Sequence, residues 1–353
     1  MTPASTEQPR SGERDDDLAA MRRALALAGE VRARTSPNPW VGAVVVGTDG
    51  SSFDGATAPL GGPHAEVVAL EAAGALARGA TLYATLEPCA HHGRTPPCTR
   101  AIVAAGVSRV VVPFVDPDPQ VSGRGVDELR AAGITVVVGT AADEAGELLA
   151  PYLKHRRTGR PWVVLKLAAT LDGRIAAPDG TSRWLTGAEA RADAHRLRAA
   201  SDAVLVGAGT VRADDPELTA RLEPAPDHQP LRVVLGQAPP DARVHPALEL
   251  AGDPGSVLDE LGAKGVLQLL VEGGARVAHA FHAAGLVDRY VLYLTPALFG
   301  GDDAVPMFAG PGARTVADLW RGRLVSLSPL GSDVRVELAP PGPAAPVGEG
   351  EVA

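Results

Sequence analysis

His64-Ala65-Glu66, followed by Pro88-Cys89 and then by Cys98, gathers both cysteines of the chain with a histidine and a glutamate. One imidazole and two thiolates form a ligand set for Zn²⁺ that leaves the fourth tetrahedral position open to water. A glutamate two residues after the histidine is placed to move that water's protons.

His-x-Glu followed by Pro-Cys and a further Cys is the pattern of zinc deaminases, whose usual form has two residues between the cysteines. Here eight residues, Ala90-His91-His92-Gly93-Arg94-Thr95-Pro96-Pro97, must loop out. Gly93 and Pro96-Pro97 suit such a loop, since glycine opens positive φ and proline forbids helix continuation. The competing reading makes the cysteines small buried hydrophobes or a disulfide, and His64 a polar residue at a helix start. Nothing in the chain suggests an oxidising compartment, which argues against a disulfide. A structural zinc would want a fourth Cys or His, and Glu66 stands where a catalytic acid/base belongs.

At 353 residues the chain is sized for about two domains, taking roughly 150 residues for each. A hydrophobic content of 45% excludes a mostly disordered protein. There is no apolar run of about 18 residues, so no membrane span or membrane partner is expected. The first 17 residues are polar and end in an acidic run, without the basic start and apolar stretch of a secretory signal, so a cytoplasmic protein is expected. The net charge of −9 and 4% aromatic residues argue against a nucleic-acid partner, which would want a basic groove and stacking platforms.

Periodicity predicts a helix over 18–34, stopped by Thr35-Ser36-Pro37-Asn38-Pro39, and a strand over 41–46. A helix over 64–77, a strand over 81–86 and a helix over 98–105 follow, the last two helices starting at ligands, where the positive dipole end favours thiolates. A strand over 107–115, a helix over 126–132 and a strand over 134–139 complete a helix/sheet/helix sandwich. Residues 141–161 are expected as a linker or edge helix, with Lys154-His155-Arg156-Arg157 and Arg160 as a solvated basic face. The second half carries strands over 162–168, 203–206, 231–235, 267–272, 288–294 and within 324–338. Helices are expected over 188–200, near 256–261 and over 276–284. This is a second α/β domain, over 162–339, after a first over 16–150. Residues 1–15 and 340–353 are expected to be disordered. There is no internal repeat.

Gly207-Ala208-Gly209-Thr210-Val211-Arg212 lacks the third glycine of a dinucleotide fingerprint. More telling are Lys166 to Arg174 (KLAATLDGR), Thr181 to Thr186 (TSRWLT), Val211 to Thr219 (VRADDPELT) and Val271 to Ala275 (VEGGA), in that order. Together they resemble the reductase half of the bifunctional riboflavin-biosynthesis deaminase/reductases. Ser36 to Ala43 (SPNPWVGA), His64-Ala65-Glu66, Leu86-Glu87-Pro88-Cys89, His91 to Cys98 (HHGRTPPC) and Asp116-Pro117-Asp118-Pro119 resemble the deaminase half. The long insert between the cysteines is that family's own form.

The resemblance implies a cytidine-deaminase-like three-layer α/β/α domain and a dihydrofolate-reductase-like α/β domain. It implies two consecutive steps on phosphoribosylated pyrimidines, with one Zn²⁺ per chain, NADPH and a homo-oligomer. In the first half His64, Cys89 and Cys98 would hold zinc and Glu66 would shuttle protons. Asn38, His91 and Arg94 would face the substrate, although the last two are also ordinary loop residues. In the second half Ala168, Trp184, Thr210 and Asp214 match cofactor positions. Gly274, Ala275, Arg276, Val277, Ala278, His279 and Ala280 would set a helix N-terminus against the pyrophosphate. Ser182, Arg198, Leu218, Arg221 and Glu272 match substrate positions, the two arginines being suited to a 5′-phosphate. Lys166 is either an electrostatic or proton-relay residue or a lysine snorkelling at a strand end.

Two departures stand out. Asp118 replaces the family's more frequent Asn, and Gly236-Gln237 follows Leu235 where Asp-Ser is frequent. The stretch 237–265 also reads as short, with at most one helix and no extra strand, which would weaken the outer cofactor pocket. The rival readings are a nucleic-acid deaminase, and a deaminase whose second domain only scaffolds an oligomer.

Overall fold

The computed structural model describes residues 11–93 and 95–341, and the chain divides between Thr158 and Gly159 into two compact units. In the first unit β1 (Gly42–Val46) runs antiparallel to β2 (Ser52–Ala56) and to β3 (Thr81–Ala84). β3, β4 (Arg109–Val112) and β5 (Thr135–Val138) are parallel, and the order across the sheet is β2-β1-β3-β4-β5. The helices are α1 (Ser11–Thr35), α2 (Ala65–Ala73), α3 (Cys98–Ala105), α4 (Arg124–Ala131), α5 (Ala142–Leu148) and α6 (Ala150–Thr158).

Successive residues of β1 point to opposite faces, and Ala43, Val44 and Val45 are all buried, so both faces of the sheet are covered. Met21, Ala24 and Leu25 of α1 form one core with Val44, Tyr83, Val111 and Ala145. α2 packs against β1, β2 and α3.

Helix α1 begins at Ser11, inside the stretch expected to be disordered; residues 1–10 lie outside the described ones. Carboxylates in the opening turns favour the positive end of a helix. One of them, Asp17, is also buried against Arg109, at 2.7 and 2.6 Å, and the Tyr83 hydroxyl at 2.8 Å. Within the stretch 141–161, expected as a linker or edge helix, residues 150–158 form α6 and belong to the first unit, while 159–161 fall in the second. The buried Pro151, Tyr152 and Leu153 of α6 explain why it folds back, with the Tyr152 hydroxyl donating to Asp116 at 2.9 Å.

The second unit contains β6 (Trp162–Thr170), β7 (Arg174–Ala176), β8 (Ala203–Gly207), β9 (Leu231–Leu235), β10 (Leu248–Leu250), β11 (Gln268–Val271), β12 (Arg289–Thr295), β13 (Val305–Pro306), β14 (Arg323–Leu330) and β15 (Asp333–Ala339). Its helices are α7 (Ala188–Ala199), α8 (Ala208–Asp214), α9 (Pro254–Ala263) and α10 (Ala275–Ala283). The main sheet runs β10-β9-β8-β11-β6-β12-β15-β14, parallel as far as β12 and antiparallel beyond it, while β7 pairs with β13. Val163 and Leu165 of β6 join a core with Leu258 and Phe281, whereas Val164 joins one with Ala190, Val206 and Val211. The period of two thus buries helices on both faces.

Contrary to expectation, the stretch 237–265 does add a strand. β10 pairs parallel with β9 and buries Leu250, but three residues are too few to show an alternation. α9 follows, its Asp253 N-cap accepting from the Gly255 and Ser256 amides at 2.9 and 3.2 Å.

Candidate functional site

The first cluster is built where α2, the end of β3 and α3 converge. His64 is the N-cap of α2 and Glu66 lies in its first turn, 4% exposed. Cys98 opens α3, and Cys89 reaches it through two backbone links: the Thr99 amide donates to Cys89 O at 3.2 Å and the Cys98 amide to Cys89 Sγ at 3.4 Å. His64 Nδ1 stands 3.2 Å from Cys98 Sγ and 3.6 Å from Cys89 Sγ. Thr95, on the insert, places its hydroxyl 3.4 Å from His64 Nε2, where it helps to orient the ring.

With the sulfurs this close, a hydrogen bond from Cys98 depresses the Cys89 thiol to about 4, while Cys98 holds its proton and is pushed up. The hydrogen bond with Cys89 raises His64, and burial raises Glu66. Two thiols and an imidazole this close make a donor set suited to a soft cation, which binds cysteines as thiolates.

Behind Cys89 lies a residue the sequence reading passed over. Glu87, 4% exposed, accepts four backbone amides: Asp116 at 2.9 Å, Gly123 at 3.0 Å, Gly125 at 2.9 Å and Val126 at 3.1 Å. It ties the ligand strand to the 116–126 loop. Gly125 permits this closeness, because a Cβ there would sit 1.9 Å from Pro88 O. Asp118, the departure noted above, is paired with Arg156 at 3.2 Å, so its charge is matched. Arg156 also lies over the Tyr152 ring, and Arg160 pairs with Asp259. These two arginines are therefore committed rather than simply solvated.

In the second unit a cavity of about 1400 Å³ opens beyond the carboxyl ends of β8 and β11, where open α/β sheets bind ligands. Lys166 and Ala168 of β6, Glu272 after β11 and the start of α10 line it. Arg198 of α7 holds Glu272 with Nε–Oε1 at 2.5 Å and Nη2–Oε2 at 2.8 Å, and donates to Thr219 O at 3.1 Å. That pair outweighs burial and keeps the Glu272 carboxyl at about 2. Burial pushes the Lys166 ammonium down, with Glu272 partly opposing. Thr210 accepts the Gly274 amide at 2.8 Å, joining α8 to the N-cap of α10. Ser182 reaches Asp214 at 3.4 Å, and Trp184 is 69% exposed with the Arg191 guanidinium 4.7 Å from its ring.

Residues 14–113 match the cytidine and deoxycytidylate deaminase zinc-binding region, and residues 161–336 match the RibD C-terminal domain. The riboflavin biosynthesis protein RibD of Escherichia coli (strain K12) is 40% identical over 362 residues, covering 90% of this chain and 98% of that protein. The same protein of Mycobacterium tuberculosis (strain ATCC 25618 / H37Rv) is 42% identical over 331 residues, covering 90% and 96%. The solved structure of Acinetobacter baumannii RibD matches with a TM-score of 0.87 at 38% identity, covering 93% of this chain and 100% of that one. A Thermotoga maritima diaminohydroxyphosphoribosylaminopyrimidine deaminase/5-amino-6-(5-phosphoribosylamino)uracil reductase matches at 0.84 and 35%, covering 93% and 99%. This chain belongs to the RibD family. It is a bifunctional enzyme of riboflavin biosynthesis, with a zinc-binding deaminase domain and a reductase domain.

The donor set fits the metal of a RibD deaminase. Around a tetrahedral zinc, with Zn–S about 2.3 Å and Zn–N about 2.1 Å, ligand atoms stand roughly 3.5–3.8 Å apart. The three donor atoms here lie within 4.8 Å of one another. The reductase cavity fits a dinucleotide. Gly209 lines it and a Cβ there would meet nothing within 4 Å, so protein packing does not demand this glycine. At this point the backbone of α8 is open to a ligand in the cavity.

Of the residues named from sequence, His64, Glu66, Cys89 and Cys98 come together. Asn38 lies half-buried on the loop after α1; its backbone amide donates to Thr35 O at 2.9 Å. His91 lies half-buried on the insert, its Nδ1 without a hydrogen-bond partner among the described residues. Arg94 lies outside the described residues. Lys166, Ala168, Ser182, Trp184, Arg198, Thr210, Asp214, Leu218, Arg221, Glu272 and Gly274 to Val277 all line the one cavity. Ala278 is instead buried in the core, His279 Nε2 contacts Pro311 O at 2.9 Å, and Ala280 is also off the cavity wall. Arg198 uses one N–H of each of Nε, Nη1 and Nη2 on Glu272 and Thr219 O, which leaves one N–H on each terminal nitrogen for a ligand.

Proposed function

We propose that the enzyme removes the 2-amino group of 2,5-diamino-6-(5-phospho-ribosylamino)pyrimidin-4-one as ammonia, and then reduces the ribosyl chain to give 5-amino-6-(5-phospho-ribitylamino)uracil with NADPH. The observation that carries this reading is the buried Glu66 beside the His64, Cys89 and Cys98 donors, on one chain with the Lys166–Glu272 cavity.

At the first site His64, Cys89 and Cys98 would hold zinc, which when bound supplies Lewis-acid activation of water. Glu66 takes a proton from the attacking water and returns one to the departing amine; the water oxygen ends as the ring carbonyl and ammonia leaves. Burial raises the affinity of Glu66 for a proton, as a shuttle requires. Asn38 and His91 face the ring from their loops, and Arg94 is assigned with them.

At the second site NADPH supplies the hydride. The sugar carbon bonded to the ring amine accepts it, the bond from that carbon to the ring oxygen opens, and the oxygen needs a proton or a nearby positive charge. Lys166 is the group for this task, and Glu272, locked by Arg198, orients the sugar hydroxyls with Ser182. Leu218 and Arg221 complete the substrate wall, while Ala168, Trp184, Thr210, Asp214 and the start of α10 hold the cofactor.

Two cysteines acting as ligands suit a reducing compartment, so we read the enzyme as cytoplasmic. Exposed Leu324 and Leu327 on the edge strand β14 support a homo-oligomer. The test is one coupled assay on the purified chain: ammonia release, NADPH absorbance and metal content. Ammonia without NADPH oxidation at saturating cofactor would reduce the second unit to a scaffold.

A further inference from the structure

Tyr293 of β12 is only 1% exposed, yet it lines the reductase cavity. Parallel pairing of β6 with β12 sets Lys166 opposite Val291 and Ala168 opposite Tyr293. Residues two apart on a strand share a face, so Tyr293 stands one diagonal step from Lys166 on the same side of the sheet. Its ring joins the core of Val164, Val206 and Val291, and the Lys166 ammonium lies over it, 5.7 Å from the centroid. Volume alone would serve that core. A π face turned to a cation within about 6 Å adds an electrostatic attraction.

The ring is fixed from its far end. The Tyr293 hydroxyl donates to Asp193 Oδ2 of α7 at 2.6 Å, and Asp193 is itself held by Arg335 Nε at 2.8 Å and Arg196 Nε at 3.1 Å. Burial and the Asp193 carboxylate push the phenol up, so it stays a neutral donor and is no source of protons for the cavity.

Lys166 has less to hold it. The charged groups facing it are Glu272 after β11, which favours the ammonium, and Arg198 of α7, which opposes it. Glu272 is spent on Arg198, at 2.5 and 2.8 Å, and the ammonium makes no hydrogen bond to the described residues. A point charge on a flexible four-carbon stem needs some such contact to keep its head in one place.

We propose that Tyr293 is a positioning residue for the reduction: its ring face, anchored through Asp193, holds the Lys166 ammonium at the cavity wall where the sugar oxygen develops its charge. This rests on the reading of Lys166 as the group that answers that charge.

The test follows reduction of separately prepared deaminated substrate by the zinc-loaded full chain across pH, with NADPH Kd measured in parallel. Tyr293→Leu should lower kcat about 10- to 100-fold, the usual cost of misplacing a reacting group by about 1 Å, with NADPH Kd near the parent's. A ring that favours the charged lysine raises its affinity for the proton, so removing the ring moves the basic limb of the kcat profile to lower pH. The expected move is about 0.4–1.5 on the pH scale, the equivalent of one lost cation–π contact. Tyr293→Phe keeps the ring face and should return the limb to the parent's pH. If Tyr293→Leu does not fold, replacing Tyr293 by pentafluorophenylalanine fills similar space with the ring quadrupole reversed, and should move the limb the same way. In a Lys166→Met background none of these changes should lower kcat further.

A limb unmoved by loss or reversal of the ring face would leave Tyr293 a core residue and end the inference. A Tyr293→Phe profile displaced as far as the leucine variant's would put the effect in the hydroxyl and overturn it too. If Lys166→Met alone kept the parent's kcat, the reading of Lys166 would fail, and this inference with it.

Discussion

Arg198 and Glu272 form a two-pronged ion pair, at 2.5 and 2.8 Å, with side chains only 15% and 7% exposed. The pair spans 74 residues of sequence and joins α7 to the end of β11 before any substrate arrives. It holds the Glu272 carboxyl at about 2, below its ordinary 4.5. A carboxyl depressed on folding stabilises above its unfolded value, and that stability is lost as pH falls through the folded one. The span corresponds to about 3 kcal/mol. Thermal unfolding of the second unit should therefore weaken between pH 5 and pH 2 in the parent (roughly the range the two values bracket). Glu272→Gln should be less stable at neutral pH and flatter across that window. A parent no steeper than the variant would rule out the pair as the cause.

Glu66→Gln should keep its zinc, because Glu66 is outside the donor set His64, Cys89 and Cys98. Ammonia release should fall by about 10²- to 10⁴-fold, the usual contribution of a positioned proton carrier. Reduction of separately prepared deaminated substrate should continue. Cys89→Ser and Cys98→Ser should instead lose metal and destabilise the first unit, because binding energy and folding are coupled. Normal zinc content in either serine variant would leave the cysteines as inert core residues.

Glu87→Gln replaces an oxygen by an amide nitrogen opposite backbone donors that are all satisfied in the parent. At least one buried N–H then loses its acceptor, and about 1–3 kcal/mol of first-unit stability should go with it. Gly125→Ala should act on the same joint by driving the Pro88 carbonyl, and the Cys89 that follows it, away from residue 125. Both variants should lower zinc affinity while NADPH titration stays at the parent value. An unchanged melting profile for Glu87→Gln would mean that the loop is held by other contacts.

The metal ligands were legible because coordination chemistry restricts residue type and the order His64, Glu66, Cys89, Cys98 is carried by two helix starts. Glu87 was not, although an acid between Leu86 and Pro88 in an otherwise apolar approach to a ligand is a signal. Its four donors lie 29 to 39 residues away, beyond any local pattern. The same distance effect hid the pairing of Asp118 with Arg156, so that a departure from family habit looked like a stray charge. Strand β10 escaped because Leu248-Glu249-Leu250 is held by its partner β9 rather than by its own periodicity. Most of the reductase residues named from sequence line one cavity, but how a guanidinium such as that of Arg198 is already bonded is decided only by the tertiary structure.

Lys166 is where the two readings left open by sequence part company. Its ammonium stands 5.7 Å from the centroid of the Tyr293 ring, lines the cavity and is pushed down from 10.5 by burial, with Glu272 partly opposing. A lysine whose folded value is lowered costs stability wherever it is charged in the unfolded chain. That cost is present at neutral pH and disappears as pH rises past 10.5. Lys166→Met removes the ammonium and keeps most of the stem volume. It should therefore melt at the parent's temperature or above it, and should still bind NADPH with the parent's Kd. The reduction step is different: if the ammonium protonates or neutralises the sugar oxygen, kcat should fall by about 10²- to 10⁴-fold. A lysine merely snorkelling at the strand end would leave kcat intact, and single-turnover measurement of NADPH oxidation with deaminated substrate separates the two outcomes.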